Sequence, residues 1–356
     1  MRFHLDDVQE QFRDALSRFT SEACDSGFRR AYWEADYSNA EAFWRGLCEL
    51  GVCGCLVPEE FGGFGLGVID VALAAEVLGH AGAPGPFLGQ QLCIAAVLHC
   101  GTEKQKHAWL PALAEGRALG TVAFSRDGSG WHPNSWTTVV HNGRISGTFT
   151  NVIGAQGADL VAIGLQGGGL AIVETGAEGV TLRALDCVDR TRPVWDLVLS
   201  HVPATPLEQP SGGAVFDIAR ILIAADACGG ANRLLEILIE YVQIREQYGR
   251  LLCSYQAIRH LLADMVVVTE PLRPLYWLAA CATDAMPDQA VRISALTKAH
   301  AAEIFMQVGR NVVEGHGGIG YTWDYDAQIW LKRAMFNYTY LGTPDRHRAE
   351  AAALMQ

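Results

Sequence analysis

The chain has 356 residues, half of them hydrophobic and 19% charged, and a net charge of −12. That composition excludes disorder and calls for a large buried core, and the length calls for two or three packed units. The acidic balance argues against nucleic acid or an anionic membrane as partner, though not against a local cationic pocket for a phosphorylated ligand.

Residues 1–118 read as an amino-terminal α-helical domain. The opening MRFHLDDVQEQFRDAL is amphipathic, with acids early and no long apolar run, unlike a secretory or transit segment, so a cytoplasmic location is expected. Ala40–Leu50 and Val68–Leu78 carry apolar residues at three-and-four spacing, and Ala83-Pro-Gly-Pro86 marks a break. Residues 119–208 change to short β-prone runs at Trp136–Val140, Leu160–Ile163, Leu170–Val173 and Trp195–Leu199, which predict a small antiparallel β domain. His141-Asn-Gly-Arg144 has the chemistry of a tight hairpin turn.

Residues 209–356 return to helix, with segments expected at 216–241, 256–268, 290–313 and 326–340. Their apolar content is too high for one-sided surface helices and points to a carboxy-terminal four-helix bundle, buried partly between subunits. Pro271 and Pro274 should kink or divide one helix. No run of about twenty apolar residues is present, so no membrane span is expected. The ten cysteines are scattered. Cys53-Gly-Cys55 has no second pair at zinc spacing, so no metal site is expected and buried reduced thiols are the better reading.

Four motifs occur in a fixed order. They are Pro58-Glu-Glu-Phe-Gly-Gly-Phe-Gly-Leu-Gly67, Gly101-Thr-Glu-Lys-Gln-Lys106, Arg245-Glu-Gln-Tyr-Gly249 with Tyr255-Gln256, and Glu314-Gly-His-Gly-Gly-Ile-Gly-Tyr-Thr-Trp-Asp324. Together with the α–β–α order, they resemble the acyl-CoA dehydrogenase family over almost the whole chain. The resemblance implies an α+β fold, bound FAD, and α,β-desaturation of an acyl thioester delivered by CoA or by an acyl-carrier protein. It also implies an electron acceptor such as an electron-transfer flavoprotein, and a homo- or heterotetramer of related subunits.

By the same resemblance, Arg245, Tyr248, Gly249 and Gln256 contact FAD, the guanidinium on phosphate and the ring as a stacking face. Gly317 and Gly318 let backbone N–H groups approach a phosphate, and Glu314, Ser125 and Thr343 join the cofactor set. Arg220 and Ser129 fall at substrate positions. Asp324 is expected to fix the glycine loop.

The chain departs from the family where catalysis is concentrated. Ala123-Phe-Ser-Arg-Asp-Gly-Ser-Gly130 replaces a Thr-Glu-Pro loop, and Thr148-Phe-Thr-Asn-Val152 replaces a Trp-bearing strand. Leu341 stands at the usual position of the catalytic glutamate, and Ala219 at the alternative one. Asp226, two helical turns beyond Ala219, is the remaining candidate base. Equally, it is a helix acid paired with an arginine or capping a neighbour. The chain therefore reads either as a catalyst in its own right, as a non-catalytic partner completing a related subunit's FAD site, or as altered chemistry on the same fold.

Overall fold

The computed structural model describes residues 4–128 and 130–355. Helices come first: α1 (Asp7–Ala23), α2 (Ser26–Trp33), α3 (Ala40–Glu49), α4 (Val68–Ala81), α5 (Phe87–Cys100) and α6 (Glu103–Ala114). Strands follow: β1 (Gly120–Ala123), β2 (Arg144–Ile153), β3 (Leu160–Gly164), β4 (Leu170–Glu174), β5 (Val180–Ala184), β6 (Val194–Pro203) and β7 (Thr205–Pro206). The last part opens with α7 (Gly212–Ile244) and a small hairpin, β8 (Glu246–Gln247) and β9 (Arg250–Leu251). It continues through α8 (Gln256–Thr269), α9 (Leu272–Ala285), α10 (Pro287–His316), α11 (Ala327–Thr339) and α12 (Pro344–Ala353).

Local chemistry sets several of these boundaries. Asp6 and Gln9 cap α1 reciprocally, each side chain accepting the other's backbone N–H. Thr102 and Gln105 do the same for α6, so the motif beginning at Gly101 is a helix start. The Pro58–Gly67 motif is a loop folded back on residues 51–57. Phe64 N–H donates to Gly54 O and Gly65 N–H to Val57 O. A Cβ at Gly63 would lie 2.0 Å from the Val57 carbonyl oxygen, so only glycine fits.

The chain divides into two compact units. One comprises Ala31–Val71 and Pro84–Ala219 and holds both larger sheets, ordered β1-β3-β4-β7 and β2-β6-β5. Phe149, Val161, Ile163, Leu197 and Val202 lie in the core between strands. The turn at His141–Arg144 forms as expected, with Asn142 at φ 50° and Gly143 at φ 72°. Two expectations are corrected. The β1–β3 pairing is parallel, because the chain leaves β1 for the other sheet and re-enters alongside it. Trp136–Val140 is no strand. Trp136 stacks on Phe124 at 4.9 Å and donates its indole N–H to Trp131 O, which holds the segment beside the ladder.

The other unit comprises Met1–Arg30, Ala72–Ala83 and Arg220–Gln356. Here α10 packs against α9, α11 and α12. Pro271 ends one helix and begins the next, so α8 and α9 are separate, and Pro274 falls harmlessly in the first turn of α9. Helix α12, over Pro344–Ala353, carries no apolar periodicity and was not legible. In the single chain α8 buries only Met265 and Thr269, leaving Val267 70% exposed.

Within this unit α4 and α7 approach through glycines. A Cβ at Gly229 would lie 1.9 Å from Glu76 O, and one at Gly79 would lie 2.2 Å from Asp226 O. Gly229→Ala should therefore force the helices apart and destabilise the protein by about 1–3 kcal/mol. Gly213→Ala, which meets nothing within 4 Å, should be neutral or stabilising by up to about 1 kcal/mol. Thermal melts of the two variants check this, and equal midpoints would contradict it.

Candidate functional site

The Arg245–Gly249 motif is the tip of the β8–β9 hairpin. Tyr248 at φ 53° and Gly249 at φ 77° form the two-residue turn, which explains the glycine. Arg245 is exposed and Tyr248 is 94% exposed. Tyr255 braces the hairpin by donating its hydroxyl to Gln247 O at 2.7 Å and by lying under Arg250. Gln256 is exposed at the start of α8. The result is an outward arm carrying a guanidinium, an aromatic face and an amide.

The second motif ends α10. Gly317 has φ 66° and donates its N–H to Glu314 O, and neither Gly317 nor Gly318 has an atom within 4 Å of where a Cβ would be, so the turn is open to close approach on that side. Glu314 is exposed beside them. The buried side chain of this motif is that of His316, which sequence reasoning missed. It stacks on Tyr241 at 4.4 Å and against Tyr325 at 4.6 Å, anchoring the glycine turn. Asp324, the expected loop-fixing acid, is exposed; Asp326 is the acid that anchors this region, through Arg30 at 2.7 Å and Arg29 at 3.2 Å. An exposed cation and ring, and glycines with no side chain to block close approach, are features that suit a dinucleotide phosphate.

The two altered β-region segments are neighbours. Thr150 N–H donates to Ser125 O, and Asp127 N–H to Thr148 O. Ser125 is buried, and Arg126 lies over Gly147, where a Cβ would meet its Nε at 2.7 Å. Ser129, the other candidate in this loop, lies outside the described residues.

Asp226 is buried and held on both oxygens. Arg333 Nε donates to Oδ2 at 3.0 Å and Oδ1 at 3.2 Å, and Asn337 Nδ2 donates to Oδ1 at 2.7 Å. Arg333 is itself buried and also donates to Ala83 O. A carboxylate so held has both oxygens occupied by a guanidinium and an amide rather than turned towards a substrate. The geometry matches the paired-acid alternative.

Leu341 is buried at φ 62°, and Ala219 is buried too, so neither position supplies a polar group. Beneath the Leu341 turn, Lys298 is fully buried and donates to Gly342 O and Tyr338 O. Arg220, also buried, pairs with Glu350, which directs its charge to α12. Thr343 is half-buried at the start of α12.

Burial, helped by the Arg220 charge, pushes the Lys298 amine down to about 7. Burial likewise pushes His347 down to about 3, with Lys298 and Arg220 acting in the same direction. Lys298 thus binds fewer protons folded than unfolded between pH 7 and the ordinary lysine value of about 10.4. Its contribution is complete above that window and is lost as pH falls through about 7. Wild type should therefore gain on Lys298→Met by up to about 1.4 kcal/mol per pH unit across that window. Denaturant midpoints at pH 7 and 9 check this, and parallel pH profiles would contradict it.

Residues 6–117 match the family model for the acyl-CoA dehydrogenase N-terminal domain, and residues 213–355 match that for the C-terminal domain. "Acyl-CoA dehydrogenase IpdE2" of Mycolicibacterium smegmatis is 29% identical over 345 residues, 96% of each chain. A variant of the "Tcur3481-Tcur3483 steroid ACAD" superposes with a TM-score of 0.90 at 27% identity, covering 98% of each chain. Butyryl-CoA dehydrogenase from Megasphaera elsdenii gives a TM-score of 0.84 at 25% identity over the full length of both chains. Among the described residues no group of acids, histidines or cysteines is placed to hold a metal, and no helix is long and apolar enough to cross a membrane. With helical regions flanking a β region and both family domains matched, the chain belongs to the acyl-CoA dehydrogenase family of FAD-dependent oxidoreductases.

Proposed function

We propose that this chain is the base-deficient subunit of a hetero-oligomeric acyl-CoA dehydrogenase, completing the FAD site of a related chain that supplies the catalytic glutamate. The observation that carries this is the state of the three base positions: Leu341 and Ala219 are buried hydrocarbons, and Asp226 is consumed by Arg333 and Asn337. Desaturation requires a free carboxylate to take the α-proton, and a positioned base is worth about 10²–10⁴ in rate. FAD, when bound, supplies the hydride acceptor.

In this reading Arg245, Tyr248, Gly249 and Gln256 form an arm for flavin phosphate and adenine. Gly317, Gly318, Glu314 and Thr343 line a second cofactor segment, and Ser125 supplies a hydroxyl from the β region. Arg220 supports α12 rather than substrate. The exposed apolar face of α8, with Val266 and Val267, favours burial in a tetramer. A structural relative whose name joins two designations, "Tcur3481-Tcur3483 steroid ACAD", supports pairing of unlike chains. An acyl thioester, on CoA or a carrier protein, is the substrate class, with an electron-transfer flavoprotein as acceptor.

Arg245→Ala should lower FAD retention more than Ser125→Ala does. A charge-assisted phosphate contact is worth about 1.5–3 kcal/mol against about 0.5–1.5 for a neutral hydroxyl bond. Flavin absorbance per chain after desalting measures this, and equal retention would count against the arm. The assembly itself is tested by co-purification with relatives encoded nearby, followed by native mass and flavin stoichiometry. Fewer flavins than chains is expected; a homotetramer with one flavin per chain would overturn the reading.

A further inference from the structure

The end of α3 brings two thiols together in a place unconnected with the flavin arm. Cys48, half-buried in the last turn of the helix, lies with its sulfur 3.5 Å from that of buried Cys53. Gly51, at φ 85°, turns the chain between them. The third nearby thiol, Cys55, is committed elsewhere, donating to Gly51 O. A second group bears on the same spot. The Trp44 indole N–H is buried without an acceptor, and it borders the space over Gly116 that the Cys48 sulfur fills. A Cβ at Gly116 would lie 3.6 Å from Trp44 Nε1 and 2.3 Å from Cys48 Sγ. An N–H bordering that space is available as a donor to an oxygen that oxidation places on the sulfur.

We propose that Cys48 and Cys53 are a redox couple, in which a hydroperoxide oxidises Cys48 and Cys53 resolves it to a disulfide that ties the end of α3 to the 52–54 turn. The Cys48 thiolate attacks the peroxide oxygen, the O–O bond breaks, and the departing oxygen leaves as water or alcohol after taking a proton. The product is a Cys48 sulfenic acid. The Cys53 sulfur then attacks the Cys48 sulfur, the S–O bond breaks, and water leaves. In sum, two thiols lose two electrons and two protons, and the peroxide is reduced by the same two electrons. The sulfurs must close by roughly 1.5 Å to bonding distance, a shift that side-chain rotation at a helix end can supply.

The division of roles follows from the pair's asymmetry. The hydrogen bond shared with Cys53 draws the Cys48 thiol below its usual range against the opposing effect of burial. The same bond, together with burial, pushes Cys53 well up. Cys48 is the more exposed sulfur, within reach of a peroxide, and so is the attacking one. Trp44 also lines an apolar cavity of about 330 Å³ with Tyr32, Tyr37 and Leu88, so the disulfide would stiffen one wall of that cavity.

The test exploits Glu49, which lies between the two cysteines. The full chain is treated with a small excess of hydrogen peroxide, its remaining thiols are alkylated, and it is cleaved after glutamate without reductant. Peptides 42–49 and 50–59 should then be recovered joined, with two of the ten thiols lost, and should separate on reduction. The link should survive Cys55→Ser and vanish in Cys53→Ser, where dimedone should instead label Cys48. Cys53→Ala serves the same purpose if the serine variant loses its far-ultraviolet spectrum. Separately alkylated peptides after peroxide would overturn the proposal, and so would a link that persists without Cys53.

Discussion

Asp226→Ala should destabilise the protein by about 3–5 kcal/mol, the usual penalty for stranding one partner of a buried ion pair. The pair is well suited to so large an effect, since the side chains of Arg333 and Asp226 are only 4% and 10% exposed. With Asp226 gone, the buried Arg333 guanidinium loses its carboxylate, and the Asn337 amide N–H loses the oxygen that accepted from it. Asp226→Asn should fall short of this, because the amide oxygen still accepts from one donor. Replacing Asp226 and Arg333 together should recover part of the loss, giving a coupling of about 1–3 kcal/mol in a double-mutant cycle. Urea midpoints of the four proteins provide the measurement. A change below about 0.5 kcal/mol for Asp226→Ala would mean that the clamp is not structural.

The second large effect is on turnover in the assembled enzyme. Replacing the glutamate of the related subunit by glutamine should lower acyl-CoA oxidation by about 10²–10⁴. Asp226→Asn in this chain, combined with that intact glutamate, should leave turnover within a few-fold. Steady-state assays with an artificial acceptor distinguish the two, provided that flavin content and melting temperature are matched. Loss of turnover on Asp226→Asn at full flavin occupancy would restore Asp226 as a base.

The helix–β–helix order was legible because apolar spacing changes at about residue 119 and again near 209. The motifs were legible as well, and for concrete reasons: Thr102 and Gln105 cap a helix, and Tyr248-Gly249 makes a two-residue turn. What escaped was long-range pairing. Asp226 meets Arg333 and Asn337 across more than a hundred residues, so one sequence could offer only the alternatives of base or paired acid. Lys298 reads as an ordinary charge on a helix, and only the packed structure buries it under the Leu341 turn. Trp136–Val140 has strand composition, but its tryptophan stacks on Phe124 and draws the segment off the ladder. Parallel pairing of β1 with β3 depends on where the chain re-enters the sheet, which local pattern does not encode.

The central claim is that the chain does not remove the α-proton itself. Its most direct test is anaerobic titration of the purified, FAD-loaded chain with acyl-CoA thioesters, alone and after assembly with a glutamate-bearing relative, while flavin absorbance is followed. No bleaching of the isolated chain is expected, with stoichiometric bleaching after assembly. Rapid and complete bleaching by the isolated chain, persisting in Asp226→Asn, would contradict the account and require a base elsewhere in the chain.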